Sequence, residues 1–247
     1  MSDRDEHFIG WLPMPAGFRR FLGAVGIGLL IALPVVALIA AGAQRPPASG
    51  QWDDTTVTVE GVLVAEPYAM LLIPGGEGDR TVLLVEEGKF GAAGRAGEFA
   101  GRLVRVAGTR LHRGEREMIE LAAGADGLQP LTDQPAWLER LQSLRPHVVG
   151  PATLHGEVVD SKCYLGAMRP GNGKTHKACA ARCIAGGVPP MFVTRVEGRE
   201  EFFLLTTPDA RSAAEMVADV VGDPVEANGV VEEMAGMKWL RLEGIRR

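Results

Sequence analysis

The sequence predicts a mainly β protein in which one N-terminal transmembrane helix precedes two tandem OB-like β-barrel modules. Three observations support this fold class. An uncharged apolar run lies near the N-terminus, short strand-like segments separated by turn residues follow it, and the order of those segments occurs twice. The hydrophobic content of 46% over 247 residues is typical of a folded chain and argues against general disorder.

The predicted membrane helix covers residues 21–43, which include no charged side chain. At about 1.5 Å per residue this run is roughly 34 Å long, whereas a bilayer core is about 30 Å thick. A cleaved signal peptide ending at the small residues 41–43 is the alternative. The run is longer than the apolar core of an ordinary signal peptide, which favours an anchor that stays in the lipid bilayer.

The charges beside the helix predict its orientation. Arg19 and Arg20 directly precede the apolar run, and only Arg45 follows it closely. The positive-inside rule therefore makes residues 1–20 a cytosolic leader. We expect a single-pass protein of the cell membrane, with its C-terminal domains on the periplasmic, extracytoplasmic side.

The overall charge argues against one class of partner. The formal net charge is −5, and no basic stripe with interleaved aromatic residues is found. Because affinity for nucleic acid depends on clustered Lys and Arg, we expect no nucleic-acid partner.

Residues 51–125 are predicted to form the first module. Its segments are rich in β-branched residues and are separated by Gly and charged turns. The predicted strands are 55–64, 81–85, 103–107 and 117–121, with a short helix within 91–99. Residues 126–150 are predicted to be a linker, because Gly and Pro punctuate them, with a short helical stretch at 137–144.

Residues 151–247 are predicted to form the second module in the same order. The predicted strands are 153–159, 202–206, 225–231 and 238–242, with a helix over 210–221 whose apolar residues recur at the helical period. From Leu84 to Gly108 is 108 − 84 = 24 positions, and from Leu205 to Gly229 is 229 − 205 = 24 positions. This equal spacing predicts an internal repeat, and the element order is that of an OB-fold.

The upstream spacing differs between the two copies. Gly61 to Leu84 spans 84 − 61 = 23 positions, whereas Gly156 to Leu205 spans 205 − 156 = 49. The second module therefore carries an insertion of 49 − 23 = 26 residues before the strand at 202–206. The insertion, at about 163–190, contains every cysteine of the chain, so we expect the function to lie in the second module and the first module to act as structural support.

The insertion predicts a Cys/His metal site made of Cys163, His176, Cys179 and Cys183. The last three are spaced i, i+3 and i+7, which places them on one face of a helix that Gly186-Gly187 would end. Three thiolates and an imidazole suit zinc, copper or an iron–sulfur centre.

A disulfide is the competing interpretation of the same cysteines. Outside the cytosol cysteines usually oxidise, so Cys163 is a candidate to pair with Cys179 or Cys183 and staple the insertion. One thiol would then be left over, and an odd cysteine in an exported protein needs a separate explanation.

Three segments of the insertion resemble a known group of sequences. They read Cys-Tyr-Leu-Gly at 163–166, Pro-Gly-x-Gly-Lys-x-His-Lys-x-Cys-Ala at 170–180 and Cys-Ile-x-Gly-Gly-Val-Pro-Pro at 183–190. This pattern is similar to that of an uncharacterised bacterial family of membrane-anchored proteins and covers less than half of the chain. The resemblance implies no established reaction.

Three functions remain open at this point. The first is an accessory or electron-transfer protein that serves a membrane-protein partner of a redox system through a metal site. The second is a thiol–disulfide oxidoreductase that uses Cys179 or Cys183. The third is a non-catalytic binding or assembly module with a disulfide-stapled loop. Whether the chain is an enzyme is left undecided by the sequence.

Overall fold

A computed structural model describes residue 14 and residues 16–43, 50–76 and 78–247. Most of the predicted leader and residues 44–49 lie outside the described residues. The chain divides into two compact units, residues 1–47 and residues 48–247.

The residues that the structure describes in the N-terminal unit include one helix, α1 (Ala16–Ala43). It begins before the uncharged run and therefore includes Arg19 and Arg20, and Pro34 lies inside it. Its apolar part is long enough to cross a membrane, and none of that part is buried against other residues. A helix that satisfies all its backbone hydrogen bonds internally is the form that a membrane-spanning segment requires.

The first part of the C-terminal unit is a closed five-stranded barrel. Its elements are β1 (Gln51–Val64), β2 (Met70–Ile73), β3 (Arg80–Val85), α2 (Ala93–Ala96), β4 (Leu103–Arg113) and β5 (Arg116–Leu121). Neighbouring strands follow the order β1-β2-β3-β5-β4, and β4 pairs back onto β1 to close the ring. Strands β3 and β5 are parallel, whereas the other pairs are antiparallel. This strand order and the helix before β4 are those of an OB-fold.

Two short elements lie in the segment predicted to be a linker. Strand β6 (Leu128–Pro130) pairs with β4 at the edge of the first barrel. Helix α3 (Leu138–Gln142) buries Leu138 and Leu141 against that barrel. Both elements therefore pack on the first module, whereas residues 147–150 already belong to the first strand of the second barrel.

The second barrel has the same order, β7-β8-β9-β11-β10, and closes through β10 and β7. Here too the pair that corresponds to β3 and β5, namely β9 and β11, is parallel. The elements are β7 (His147–Asp160), α4 (Lys177–Ala185), β8 (Pro190–Val196), β9 (Arg199–Thr206), α5 (Ala214–Val217), β10 (Pro224–Met234) and β11 (Met237–Arg246). The mainly β fold class with two OB-like barrels is confirmed.

Two glycines explain why the same 24-residue spacing occurs in both modules. A Cβ atom on Gly108 would lie 2.0 Å from the carbonyl oxygen of Glu120, and one on Gly229 would lie 2.0 Å from that of Arg241. In each barrel a long strand crosses its hairpin partner so closely that only glycine fits. The two positions are equivalent in the two barrels, since Gly108 pairs with Leu121 and Gly229 with Leu242.

The second strand of each barrel was missing from the sequence prediction. Every residue of β2 is buried, so the alternation that marks a half-exposed strand is absent. Strand β8 begins at Pro190 directly after a Gly- and Pro-rich turn, which obscures its start. Because β8 exists, the insertion lies between the first and second strands of its barrel, at residues 161–189.

The helix predicted over 210–221 is shorter in the structure. Only Ala214–Val217 is helical. Ala210 adopts a φ of +59°, a left-handed conformation that an α-helix cannot contain. The apolar period there reflects the burial of Ala213, Val217 and Val221 in the second barrel.

A shared apolar core joins the two barrels. Each barrel has its own interior, and a third cluster of buried residues lies between them. Its members are Tyr68, Met70, Leu83, Val85, Leu111 and Met118 from the first barrel and Val159, Cys163, Tyr164, Leu165, Cys183, Val188, Met191, Phe202, Leu204, Met237 and Trp239 from the second. Two of the three cysteines therefore lie at the junction of the modules.

Candidate metal centre

The insertion begins with a tight turn that fixes Cys163. Asp160, the last residue of β7, accepts a hydrogen bond from the backbone N–H of Cys163 at 2.8 Å. A π-helical turn over Cys163–Ala167 follows. The chain then folds back, and a Cβ atom on Gly171 would lie 2.5 Å from the carbonyl oxygen of Cys163. This close packing holds Cys163 under the segment that leads to α4.

Helix α4 supplies the other two cysteines. Cys179 and Cys183 are four residues apart, so they lie on one face of the helix. The helix ends at Gly186, as its sequence predicts, and the N–H of Gly186 bonds the carbonyl oxygens of Arg182 and Cys183. His176 precedes the first helical residue and occupies the N-cap position, so its side chain leaves the helix at a different angle from the cysteines.

The three sulfur atoms form a compact group. The sulfur of Cys163 lies 3.9 Å from that of Cys179 and 4.0 Å from that of Cys183. All three cysteines are free. A disulfide requires an S–S distance of about 2.05 Å. Three sulfurs bound to one metal at about 2.3 Å would lie about 3.8–4.0 Å apart, in tetrahedral or trigonal geometry. The spacing therefore fits three sulfurs that bind one shared metal ion, and it is much longer than the bond of a disulfide.

His176 lies beside this group in a second, overlapping set. Its Nε2 atom is 3.0 Å from Oδ2 of Asp160, and both side chains are almost fully buried. Asp160, Cys163 and His176 bring one ligand atom each within 4.8 Å of one another, as do Cys163, Cys179 and Cys183. The four residues predicted as ligands, together with Asp160, are thus arranged as two triplets that share Cys163. A carboxylate that orients a histidine beside a metal is a common arrangement in metalloproteins.

A residue of the first module reaches the same site. The ammonium nitrogen of Lys89 lies 2.7 Å from the sulfur of Cys179 and 3.8 Å from that of Cys183. Lys89 lies in the loop between β3 and α2. The first module therefore contributes a charged group to the site, and the expectation that it serves only as support is wrong on this point.

Contacts from the second module fix the loop that carries Lys89. The buried Lys162 donates to the carbonyl oxygens of Glu86, at 2.9 Å, and Gly88, at 2.7 Å, and it also pairs with Glu120. The N–H of Gly91 donates to the carbonyl oxygen of Gly186 at 2.9 Å. These contacts attach the loop to the end of α4, which places Lys89 over the cysteines.

The sulfur atoms perturb one another electrostatically. The hydrogen bond between Cys163 and Cys183 raises the pKa of the Cys163 thiol, and burial and the charge of Asp160 raise it further. The same hydrogen bond lowers the pKa of Cys183, and the ammonium of Lys89 adds to that effect. The hydrogen bond to Cys179 raises the pKa of Lys89. Of these two thiols, Cys183 is accordingly the one more readily converted to a thiolate ligand.

An ion pair across the module junction supports the turn at Cys163. Arg113 of β4 makes two hydrogen bonds of 2.9 Å to the carboxylate of Glu200 in β9. Tyr164 donates to that carboxylate at 2.9 Å, and the guanidinium carbon of Arg113 lies 4.0 Å from the centre of its ring. The residue next to Cys163 is therefore held by both barrels.

Two polar contributors were absent from the sequence prediction, Asp160 and Lys89. The sequence offers one signal that Lys89 is unusual. It is the only lysine before Lys162 in a chain whose basic residues are mostly arginine. Nothing in the sequence places it near α4, since that contact depends on how the two barrels pack. Asp160 is close to Cys163 in the sequence, but a carboxylate is usually exposed to solvent, whereas the structure buries this one completely.

The comparisons with known proteins add no family to these observations. No protein-family model matches the chain, and no curated protein matches it.

Proposed function

We propose that this chain is a single-pass membrane protein whose barrels lie on the extracytoplasmic side and hold a thiolate-bound metal ion. In this role it serves as an accessory or electron-transfer partner of a membrane redox system. The observation that carries the proposal is the group of three free cysteine sulfurs separated by 3.9 and 4.0 Å. Soft thiolate ligands select zinc, copper(I) or iron–sulfur centres.

The anchor and the charges beside it support the location. Helix α1 has the length and composition of a membrane span. Arg19 and Arg20 near its start favour a cytosolic N-terminus, which puts residues 48–247 outside the cytosol. A reporter enzyme that is active only outside the cytosol, fused after Arg247, should be active in cells. Activity only of a fused cytosolic reporter would reverse the orientation.

Metal analysis of the full chain in detergent tests the central claim. We expect about one equivalent of bound metal per chain, lost when Cys163, Cys179 or Cys183 is replaced by Ser, because each supplies one of three ligands. Met168→Leu is the matched control, since it removes an exposed sulfur of the same insertion. Metal-free protein, or protein with one disulfide and one thiol, would contradict the proposal.

One observation favours a second function, that of a thiol–disulfide oxidoreductase. Cys179 is the most accessible of the three cysteines, and the ammonium of Lys89 lies against its sulfur. The Cys179 thiolate would attack a substrate disulfide, form a mixed disulfide and release one substrate thiol. Cys163, 3.9 Å away, would then displace the second substrate thiol and form a Cys163–Cys179 disulfide.

Alkylation kinetics separate the two functions. The oxidoreductase requires Cys179 in the metal-free protein to react with iodoacetamide at neutral pH faster than an unperturbed thiol does. Slow alkylation of Cys179 in protein without metal would exclude this second function while leaving metal binding untouched.

A further inference from the structure

The three-sulfur group has an ammonium group on one side and no fourth thiolate. The chain has three cysteines in total. His176 forms a group of potential metal ligands with Asp160 and Cys163, and it does not form one with the sulfurs of Cys179 and Cys183. What does approach Cys179 and Cys183 is the ammonium of Lys89, at 2.7 and 3.8 Å. A metal bound by the sulfurs would therefore have three thiolate ligands and a positive charge beside it.

We propose that the resident ion is copper(I) and that Lys89 biases the site toward it and against divalent ions. This inference rests on the metal-binding function proposed above and names the ion. Zinc sites are almost always four-coordinate, whereas three soft thiolates satisfy copper(I). The sulfur spacing of 3.9 and 4.0 Å also suits an ion lying in the plane of the three sulfurs, because bonds of about 2.3 Å would then hold them about 4.0 Å apart.

Charge provides the selectivity. Three thiolates around a monovalent ion carry a net charge of −2, and around a divalent ion they carry −1. An ammonium group about 4 Å away therefore stabilises the copper(I) centre about twice as strongly as a zinc centre. Lys89 is exposed, so the water-like limit of Coulomb's law applies, and the one-unit difference between the two centres corresponds to about a fivefold change in the ratio of copper(I) affinity to zinc affinity.

The loop that carries Lys89 is built to keep the charge in place. Lys162 bonds two of its carbonyl oxygens, and Gly91 bonds Gly186 at the end of α4. A Cβ atom on Gly186 would lie 1.9 Å from the carbonyl oxygen of Lys89. The backbone of Lys89 therefore lies directly against the helix that holds two of the three ligands, which keeps its side chain within reach of the site.

Paired affinity measurements on the full chain in detergent, under reducing and oxygen-free conditions, test the inference. Copper(I) and zinc(II) affinities are each measured by competition with a chromogenic chelator. Lys89→Met should lower the ratio of copper(I) affinity to zinc affinity about fivefold, because the metal-free state is common to both measurements and cancels in the ratio. Lys89→Arg, which keeps the charge, should leave both within about threefold of the wild type. Lys174→Met, at an exposed lysine of the same insertion, is the matched control and should change neither.

The change in the two affinities when Lys89 is replaced decides the test, because thiolates favour copper(I) even without a neighbouring charge. Equal losses of both affinities in Lys89→Met, or a greater loss for zinc, would overturn the role of Lys89. A wild type that binds zinc but competes poorly for copper(I) would overturn the assignment of the ion and leave the metal-binding function standing. A wild type that binds neither ion, and in which metal analysis finds no other metal, would refute that function itself. Circular dichroism of each variant confirms that the barrels are folded.

Discussion

Nε2 of His176 lies 3.0 Å from Oδ2 of Asp160, and neither side chain is accessible to solvent beyond a few per cent. Asp160 also accepts the backbone N–H of Cys163. One buried carboxylate thus has hydrogen bonds to both Cys163, near the start of the insertion, and His176, directly before α4. Because unpaired buried polar groups are costly, Asp160 determines whether the insertion holds its shape.

Replacement of Asp160 tests this role. Asp160→Ala leaves a buried imidazole and a buried N–H without their acceptor, so we expect a loss of about 3–5 kcal/mol in the free energy of unfolding. Asp160→Asn keeps one acceptor oxygen and should cost about 1–3 kcal/mol. Chemical denaturation of the metal-free full chain measures both. The exposed Asp219→Ala is the control, and a loss below 1 kcal/mol for Asp160→Ala would contradict the prediction.

The ion pair between Arg113 and Glu200 should contribute more to stability than the ion pairs at the surface. Arg113→Lys removes the two-pronged contact and the stacking on Tyr164, and we expect a cost of about 1–2 kcal/mol in the free energy of unfolding. Arg246→Lys is the control, because Arg246 also pairs with a glutamate, Glu226, but is largely exposed. Its cost should stay within about 0.5 kcal/mol. Similar losses in the two variants would show that the junction pair has no special role.

Much of the architecture follows from local patterns. The β-branched segments, the equal spacing of Leu84–Gly108 and Leu205–Gly229, and the uncharged run each have a direct structural counterpart. The sequence does not predict strands β2 and β8. Complete burial of β2 and the proline at the start of β8 remove the alternation on which strand prediction depends.

The site was less predictable than the fold, for a physical reason. The i, i+4 spacing of Cys179 and Cys183 is local, and it correctly placed both on one face of α4. Lys89 and Cys179 are 90 residues apart and meet only because the two barrels share a core. The position of His176 also depends on tertiary structure, since burial of Asp160 at the end of β7 draws the imidazole toward that carboxylate.

A methyl group at Gly91 should disturb both the junction and the site. A Cβ atom there would lie 2.0 Å from the carbonyl oxygen of Gly187, so Gly91→Ala must push the Lys89 loop away from α4. We expect a loss of about 1–3 kcal/mol in the free energy of unfolding, typical of overpacking. Gly94→Ala is the matched control, because Gly94 lies in α2 with open space around its Cα. It should be neutral or slightly stabilising, since Ala favours helix. A neutral Gly91→Ala would show that the two backbones separate freely.

The two tyrosines provide a direct test of the buried module junction. Burial raises the pKa of Tyr68 above its usual value, and it does the same for Tyr164. The hydroxyl of Tyr68 donates to the carbonyl oxygen of Leu205 at 2.6 Å and accepts the N–H of Ala213 at 3.0 Å, so it too joins the barrels. Because these are the only tyrosines of the chain, the absorbance of tyrosinate reports on the junction alone.

At pH 10 the denatured chain should show about half of its full tyrosinate absorbance, and the native chain far less. The native state holds these protons more tightly, so it binds more protons than the unfolded state between pH 10 and the raised pKa values. The free energy of unfolding should therefore be fully retained below pH 10 and fall as the pH rises through that window. Tyr68→Phe should reduce this alkaline loss while itself costing about 1–2 kcal/mol for its two hydrogen bonds. Native protein with half-ionised tyrosines at pH 10 would mean that the barrels do not bury their junction.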